Sequence, residues 1–204
     1  MDKHQSKIII LVCLVISVAV VFFGFRVKTR PSSEVSVSPP PVVPEVQASQ
    51  LTTVGSPDGK MSLTMKQKNG EGVTTYTFLI TNEVNNDQKE IYTKTVSSGT
   101  AMTIPNNTFS SDNKYVFFKE RSLGATNYLI LTTSGAPVSK DTQILDFSSM
   151  FTAKYQDYVI TDATGWAGPT LVVINTDKSE GGTGPSFWFD VASKSFILLS
   201  NRFN

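Results

Sequence analysis

The hydrophobic pattern changes character twice along the chain. From Ile8 to Phe25 it is an 18-residue run without a charge, IIILVCLVISVAVVFFGF, with Ser17 and Gly24 its only non-apolar breaks. A helix of that length spans roughly 27 Å, close to the ~30 Å apolar thickness of a bilayer. It also satisfies its own amides where lipid offers no partner. The pattern therefore predicts a transmembrane helix over residues 8–27, an uncleaved signal-anchor behind a short tail, residues 1–7. A cleaved signal peptide would show a shorter apolar run ending in a small-residue site, and none follows Ala19. A lipoprotein signal would need a small residue before Cys13, where Val12 stands.

The second change of pattern falls within residues 28–50. Pro31, Pro39, Pro40, Pro41 and Pro44 crowd this stretch, and consecutive prolines exclude both helix and central strand. The stretch reads as an extended proline-rich linker, whose part from Pro31 to Gln50 reaches roughly 60 Å at ~3.1 Å per residue. Orientation across the membrane is not set by charge, since Lys3 and Lys7 flank one end and Arg26, Lys28 and Arg30 the other. A linker of stalk-like composition and a cysteine-free C-terminal part favour placing residues 51–204 outside the cytoplasm.

Residues 51–204 show no helical periodicity and are expected to be strand-only. Short runs of Thr, Val, Tyr, Phe and Ile alternate with Gly, Asn, Asp and Pro, the pattern of strands and turns. In Thr74 to Ile80, Tyr76, Phe78 and Ile80 fall on one face, with Thr75, Thr77 and Leu79 on the other. Ser56-Pro57-Asp58-Gly59-Lys60 precedes the strand MSLTM, and Ser110-Ser111-Asp112-Asn113-Lys114 precedes YVFF 54 residues later. A second strand follows each, with Tyr76 and Tyr128 separated by 52 residues. A third, weaker copy is expected to start at Thr161-Asp162 and pass through Gly165-Trp166 into TLVVIN, SFWFDV and SFILLSN. The chemistry of the turn explains the motif: Asp58 or Asp112 accepts nearby amides, while Gly59 or Asn113 takes a positive φ. These four residues are assigned a structural turn role.

The SPDGK turn and the phrase FSSDNKYVFF (Phe109 to Phe118) resemble the blade-start pattern of TolB-like and other WD40-like β-propeller repeats. The resemblance covers Val54 to about Leu131 and is looser beyond. It implies an all-β fold of about three blade-like antiparallel sheets of ~50 residues each, an open or partial propeller behind one transmembrane helix. It further implies a protein-interaction platform outside the cytoplasm. Propellers close with about 4–8 blades, so three require an open arc, a ring completed by a second chain, or a compact sandwich or barrel.

Composition narrows the chemistry. Residues 51–204 carry 13 basic and 14 acidic side chains, a balance that does not suit nucleic acid. The chain's one histidine, His4, and one cysteine, Cys13, precede that region. Disulfides within it, Cys/His zinc sites, thiol nucleophiles and histidine triads are thereby excluded. Asp141, Asp146, Asp157, Asp162 and Asp190 could supply a carboxylate pair, but no spacing joins any two, and Asp146 between Leu145 and Phe147 reads as a solvent-facing strand residue. Ser139-Lys140 and Ser193-Lys194 read as hairpin turns rather than dyads. Asn175 to Pro185 lacks the P-loop and EF-hand patterns and reads as a mobile loop. Trp188 alternates with Phe187 and Phe189 and is expected to pack in the core. Trp166, in Gly165-Trp166-Ala167-Gly168-Pro169, reads as an aromatic on a turn, either covering the end of the core or touching a ligand or partner. No catalytic residue, metal site or cofactor is expected. The expected partners are the bilayer through residues 8–27, an unidentified protein or envelope component, and a second copy if two chains close a ring. The expected role is a non-enzymatic interaction or envelope scaffold module. A glycan- or ligand-binding module is the alternative, and a carboxylate-dependent hydrolase the remoter one.

Overall fold

Twelve strands and one short helix make up the regular structure in the computed structural model, which describes residues 49–199 and 202. The predicted tail 1–7, membrane helix 8–27 and linker up to residue 48 lie outside the described residues. Among the described residues, no helix is long and apolar enough to cross a membrane.

The strands form three four-stranded antiparallel sheets, each a simple meander, and no closed barrel. The first sheet contains β1 (Gln50–Gly55), β2 (Met61–Asn69), β3 (Val73–Asn82) and β4 (Asp87–Ser97). The second contains β5 (Thr100–Thr103), β6 (Tyr115–Ser122), β7 (Ala125–Thr132) and the two-residue β8 (Leu145–Asp146). The third contains β9 (Tyr158–Trp166), β10 (Leu171–Lys178), β11 (Thr183–Asp190) and β12 (Ser195–Leu198). TLVVIN, SFWFDV and the first four residues of SFILLSN thus fall on consecutive strands of one sheet, though that sheet opens at Tyr158, earlier than the predicted Thr161.

The layering follows from period two. Val116, Phe118, Leu129 and Leu131 of the second sheet pack against Leu63, Met65, Tyr76, Phe78 and Ile80 of the first. The intervening Tyr115, Phe117, Tyr128 and Ile130 enter a separate core with Val172, Ile174, Phe187 and Phe189 of the third. Successive side chains of a strand point to opposite faces. A strand covered on both faces must therefore be apolar throughout, which is why YVFF shows no alternation. Aromatic stacking carries both interfaces: Phe78 lies 4.6 Å from Phe118, and Phe147 lies 5.6 Å from Tyr128 and 5.2 Å from Phe189, centroid to centroid. The outer face of the first sheet is a threonine ladder, with hydroxyl pairs Thr53–Thr64 and Thr75–Thr95 at 2.9 Å and Thr93–Thr77 at 3.1 Å. Such a face is suited to water.

The strand-only expectation is corrected by α1 (Phe147–Lys154). Its N-cap is Asp146, whose Oδ1 accepts from the amides of Ser148 (3.0 Å) and Ser149 (3.1 Å), while Ser149 Oγ donates to Oδ2 (2.6 Å). A capping carboxylate of this kind contributes about 1 kcal/mol, so Asp146, read from the sequence as a solvent-facing strand residue, both ends β8 and caps the helix. Phe147 and Phe151 lie four residues apart on the buried side of the helix, and both are fully buried. The helix begins where β8 stops after two residues. The amide of Tyr128 donates instead to Ser148 Oγ (2.6 Å), so a buried donor keeps a partner.

Candidate functional site

The two turn motifs adopt the same local structure. Ser56 Oγ donates to Asp58 Oδ1 (2.8 Å), which also accepts from Lys60 N (3.1 Å), while Met61 N donates to Ser56 Oγ (2.9 Å). At the second motif Ser110 Oγ donates to Asp112 Oδ1 (2.8 Å), Lys114 N to the same oxygen (3.1 Å) and Tyr115 N to Ser110 Oγ (2.9 Å). Gly59 and Asn113 occupy the position of positive φ, at 69° and 57°. The left-handed conformation suits glycine, and asparagine among side-chain-bearing residues.

The glycine-to-asparagine difference has a structural consequence. Asn113 Nδ2 reaches back to Asp58 Oδ1 (2.8 Å), tying the turn of the second sheet to that of the first. Asn113 is buried, and its Oδ1 finds no partner among the described residues. The Asn113 amide first, then Lys60 N and Ser56 Oγ, holds the Asp58 carboxyl well below its ordinary 3.8. Because the folded value is depressed, the carboxylate's contribution to stability is complete above about pH 3.8 and is lost as pH falls through the folded value. Asp58→Asn is therefore expected to be less stable than the parent chain by a constant margin between pH 7 and 5, narrowing in stronger acid. Denaturant melts across that range check it, and a margin that stays constant down to pH 2 would show that the charge is not what matters.

Beside these turns lies a cleft of about 600 Å³ to which all three sheets contribute. Gly55 and Pro57 come from the end of β1 and the first turn. Asn106, Asn107 and Ser111 come from the segment between β5 and β6, and Thr164 and Trp166 from the end of β9. Trp166 is the last residue of β9, not a turn residue as its glycine- and proline-rich surroundings predicted. Its indole Nε1 donates to Thr108 O (2.9 Å), its ring stacks on Tyr115 at 6.1 Å, and it meets Phe117 at 6.1 Å with a 59° tilt. It is half-buried against the second core, as the core-covering reading expected, and it also lines the cleft.

The opposite wall is held closely. Asn107 Nδ2 donates to Thr164 O (3.1 Å). A Cβ at Gly165 would stand 3.0 Å from Asn107 Cβ, and Gly165 has φ +149°, so this position requires glycine. Thr108 Oγ1 donates to Phe117 O (2.5 Å), anchoring the segment to β6. By contrast, the side chains of Asn106, Ser111 and Thr164 make no hydrogen bond among the described residues. Among the described residues, the cleft lining carries no charged side chain.

The carboxylates singled out from the sequence are used locally instead. Asp162 accepts from Lys119 Nζ (2.5 Å) and Tyr128 Oη (3.2 Å); burial, with the Asp162 charge second, pushes the Tyr128 phenol far up. Asp190 accepts from Ser193 Oγ (2.6 Å) at the β11–β12 turn, and chiefly that bond lowers its carboxyl. Asp141 and Asp157 are exposed. Among the described residues, no three acidic, histidine or cysteine side chains gather as a metal site would require.

Three further sequence expectations are refined. Asn175 to Pro185 is not a loop but the β10–β11 hairpin, closed by Lys178 N to Gly182 O (2.8 Å). Ser139 and Lys194, halves of the two Ser-Lys pairs, meet in space, with Lys194 Nζ donating to Ser139 Oγ (2.8 Å). Lys194 is exposed, whereas a Ser/Lys dyad works with a desolvated amine. Trp188 faces away from Phe187 and Phe189. It sits in a cross-strand row with Val173 and Ile197 on the outer face of the third sheet, outside the core.

Sequence reasoning missed Asn106, Asn107, Ser111 and Thr164. The available signal was Pro105-Asn106-Asn107, which interrupts the strand between Thr103 and the bridge residue Phe109. Compared with protein-family models and with curated proteins, the chain finds no match in either.

Proposed function

We propose that this chain is a non-enzymatic recognition module, held at a membrane by residues 8–27 and displaying its β domain outside the cytoplasm. In this reading the three sheets are blades of a partial propeller of the TolB-like and WD40-like kind. The matching hydrogen-bond patterns at Asp58 and Asp112 support it, as does the four-stranded meander common to all three sheets. The observation that carries the recognition role is the cleft, where uncharged polar side chains without partners are presented from turns on a rigid sheet scaffold.

A photo-crosslinking residue placed at Asn106 in the full-length chain, in its native membrane, tests this. Adduct formation is expected from position 106 and not from position 95, where Thr95 lies exposed on the outer threonine face of the first sheet. Equal labelling from both positions, or from neither, would overturn the assignment of the cleft.

A further inference from the structure

We propose that the cleft accommodates an uncharged saccharide segment, a ligand class that rests on the recognition reading above and specifies it. A charged ligand would enter a site without a compensating ion, since no lining side chain is charged, and an unpaired charge is costly to desolvate. The available groups are the Asn106 amide, which both donates and accepts, and the hydroxyls of Ser111 and Thr164, which do the same. Sugar hydroxyls require that dual capacity. Trp166 offers ring surface alone, because its N–H is already donated to Thr108 O. With Pro57 it supplies the apolar surface against which the C–H face of a pyranose packs. The volume of about 600 Å³ lies within the ~300–1,000 Å³ range of small-ligand sites. An extended peptide would instead pair main chain to main chain along a free strand edge. Here the recognition groups are side chains at turns and a strand end, with only the last residues of the edge strand β9 reaching the cleft.

Another groove, near the start of α1, is less suited. It has no aromatic wall, and its Ser148 and Ser149 hydroxyls are already bonded to Tyr128 N and Asp146 Oδ2.

The test uses the full chain in lipid nanodiscs. The probes are a panel of neutral hexose and N-acetylhexosamine di- to tetrasaccharides, uronate-containing oligosaccharides, and an uncharged peptide. Titration calorimetry is expected to show binding to at least one neutral oligosaccharide, unaffected by added salt because no charge is engaged. Asn106→Ala is expected to weaken that binding roughly fivefold to tenfold, the loss of one or two net hydrogen bonds. The melting temperature should not change, since Asn106 is exposed and makes no intramolecular bond. Binding confined to the uronates or the peptide, no binding to any neutral probe, or neutral binding that survives both Asn106→Ala and Ser111→Ala would overturn the proposal. Crosslinking at position 106 without saccharide binding would overturn this ligand class and leave the recognition role standing. Loss of both would remove both.

Discussion

Phe117→Ala and Phe118→Ala are each expected to destabilise the β domain by about 3–5 kcal/mol, and to loosen different parts of it. Both side chains are fully buried, yet they belong to different cores. Phe118 stacks on Phe78 and fills the interface between the first and second sheets. Phe117 points the other way, towards Trp166 and the third sheet. At roughly 2–4 °C per kcal/mol for a domain of this size, each variant should melt about 10 °C lower. Hydrogen exchange separates them: Phe118→Ala should accelerate exchange in β2 and β3, and Phe117→Ala in β10 and β11. Equal loosening of the same sheet by both variants would contradict the two-core layering.

Trp166→Ala should have the second-largest effect, about 2–3 kcal/mol, less than a fully buried tryptophan because the ring is half-exposed. The loss combines the contacts with Tyr115 and Phe117 with the hydrogen bond to Thr108 O. Thr108 O also accepts from Phe117 N, so the truncation leaves no orphaned carbonyl. Trp166→Phe should restore most of the packing and leave a deficit of about 1 kcal/mol for the missing bond. Chemical denaturation of the three proteins measures both steps. A phenylalanine variant as unstable as the alanine one would show that the hydrogen bond, not the stacking, holds the end of β9.

Sequence patterns reach the strands best where one face is wet. Tyr76 and Phe78 alternate with Thr75 and Thr77, and that stretch of the first sheet is half-buried as the alternation requires, while Leu79 is buried along with Ile80. They reach helices worst when the helix is short. Phe147, Phe151 and Tyr155 recur at a spacing of four behind the capping Asp146, but Leu145-Asp146-Phe147 read alone imitates a strand. Only the surroundings separate the two: the pairing with β7 stops at Leu129 and Ile130, and the Tyr128 amide is taken by Ser148 Oγ of the helix. The cleft was the least legible part. Asn106 and Ser111 share the segment between β5 and β6, but Thr164 lies more than fifty residues further on and joins them only because the third sheet packs beside the second.

Local chemistry thus set the turns: Asp58, Gly59, Asp112 and Asn113 take conformations that hydrogen bonding within a few residues and tolerance of positive φ dictate. The apolar content of β6 and β7 likewise required burial on both faces. Which faces meet was decided by tertiary packing, since a strand's pattern states that a face must be covered and not by what. Packing also added the Asn113 amide to the local partners that hold Asp58, and made Trp166, read from the sequence as a turn residue, the wall of a cleft.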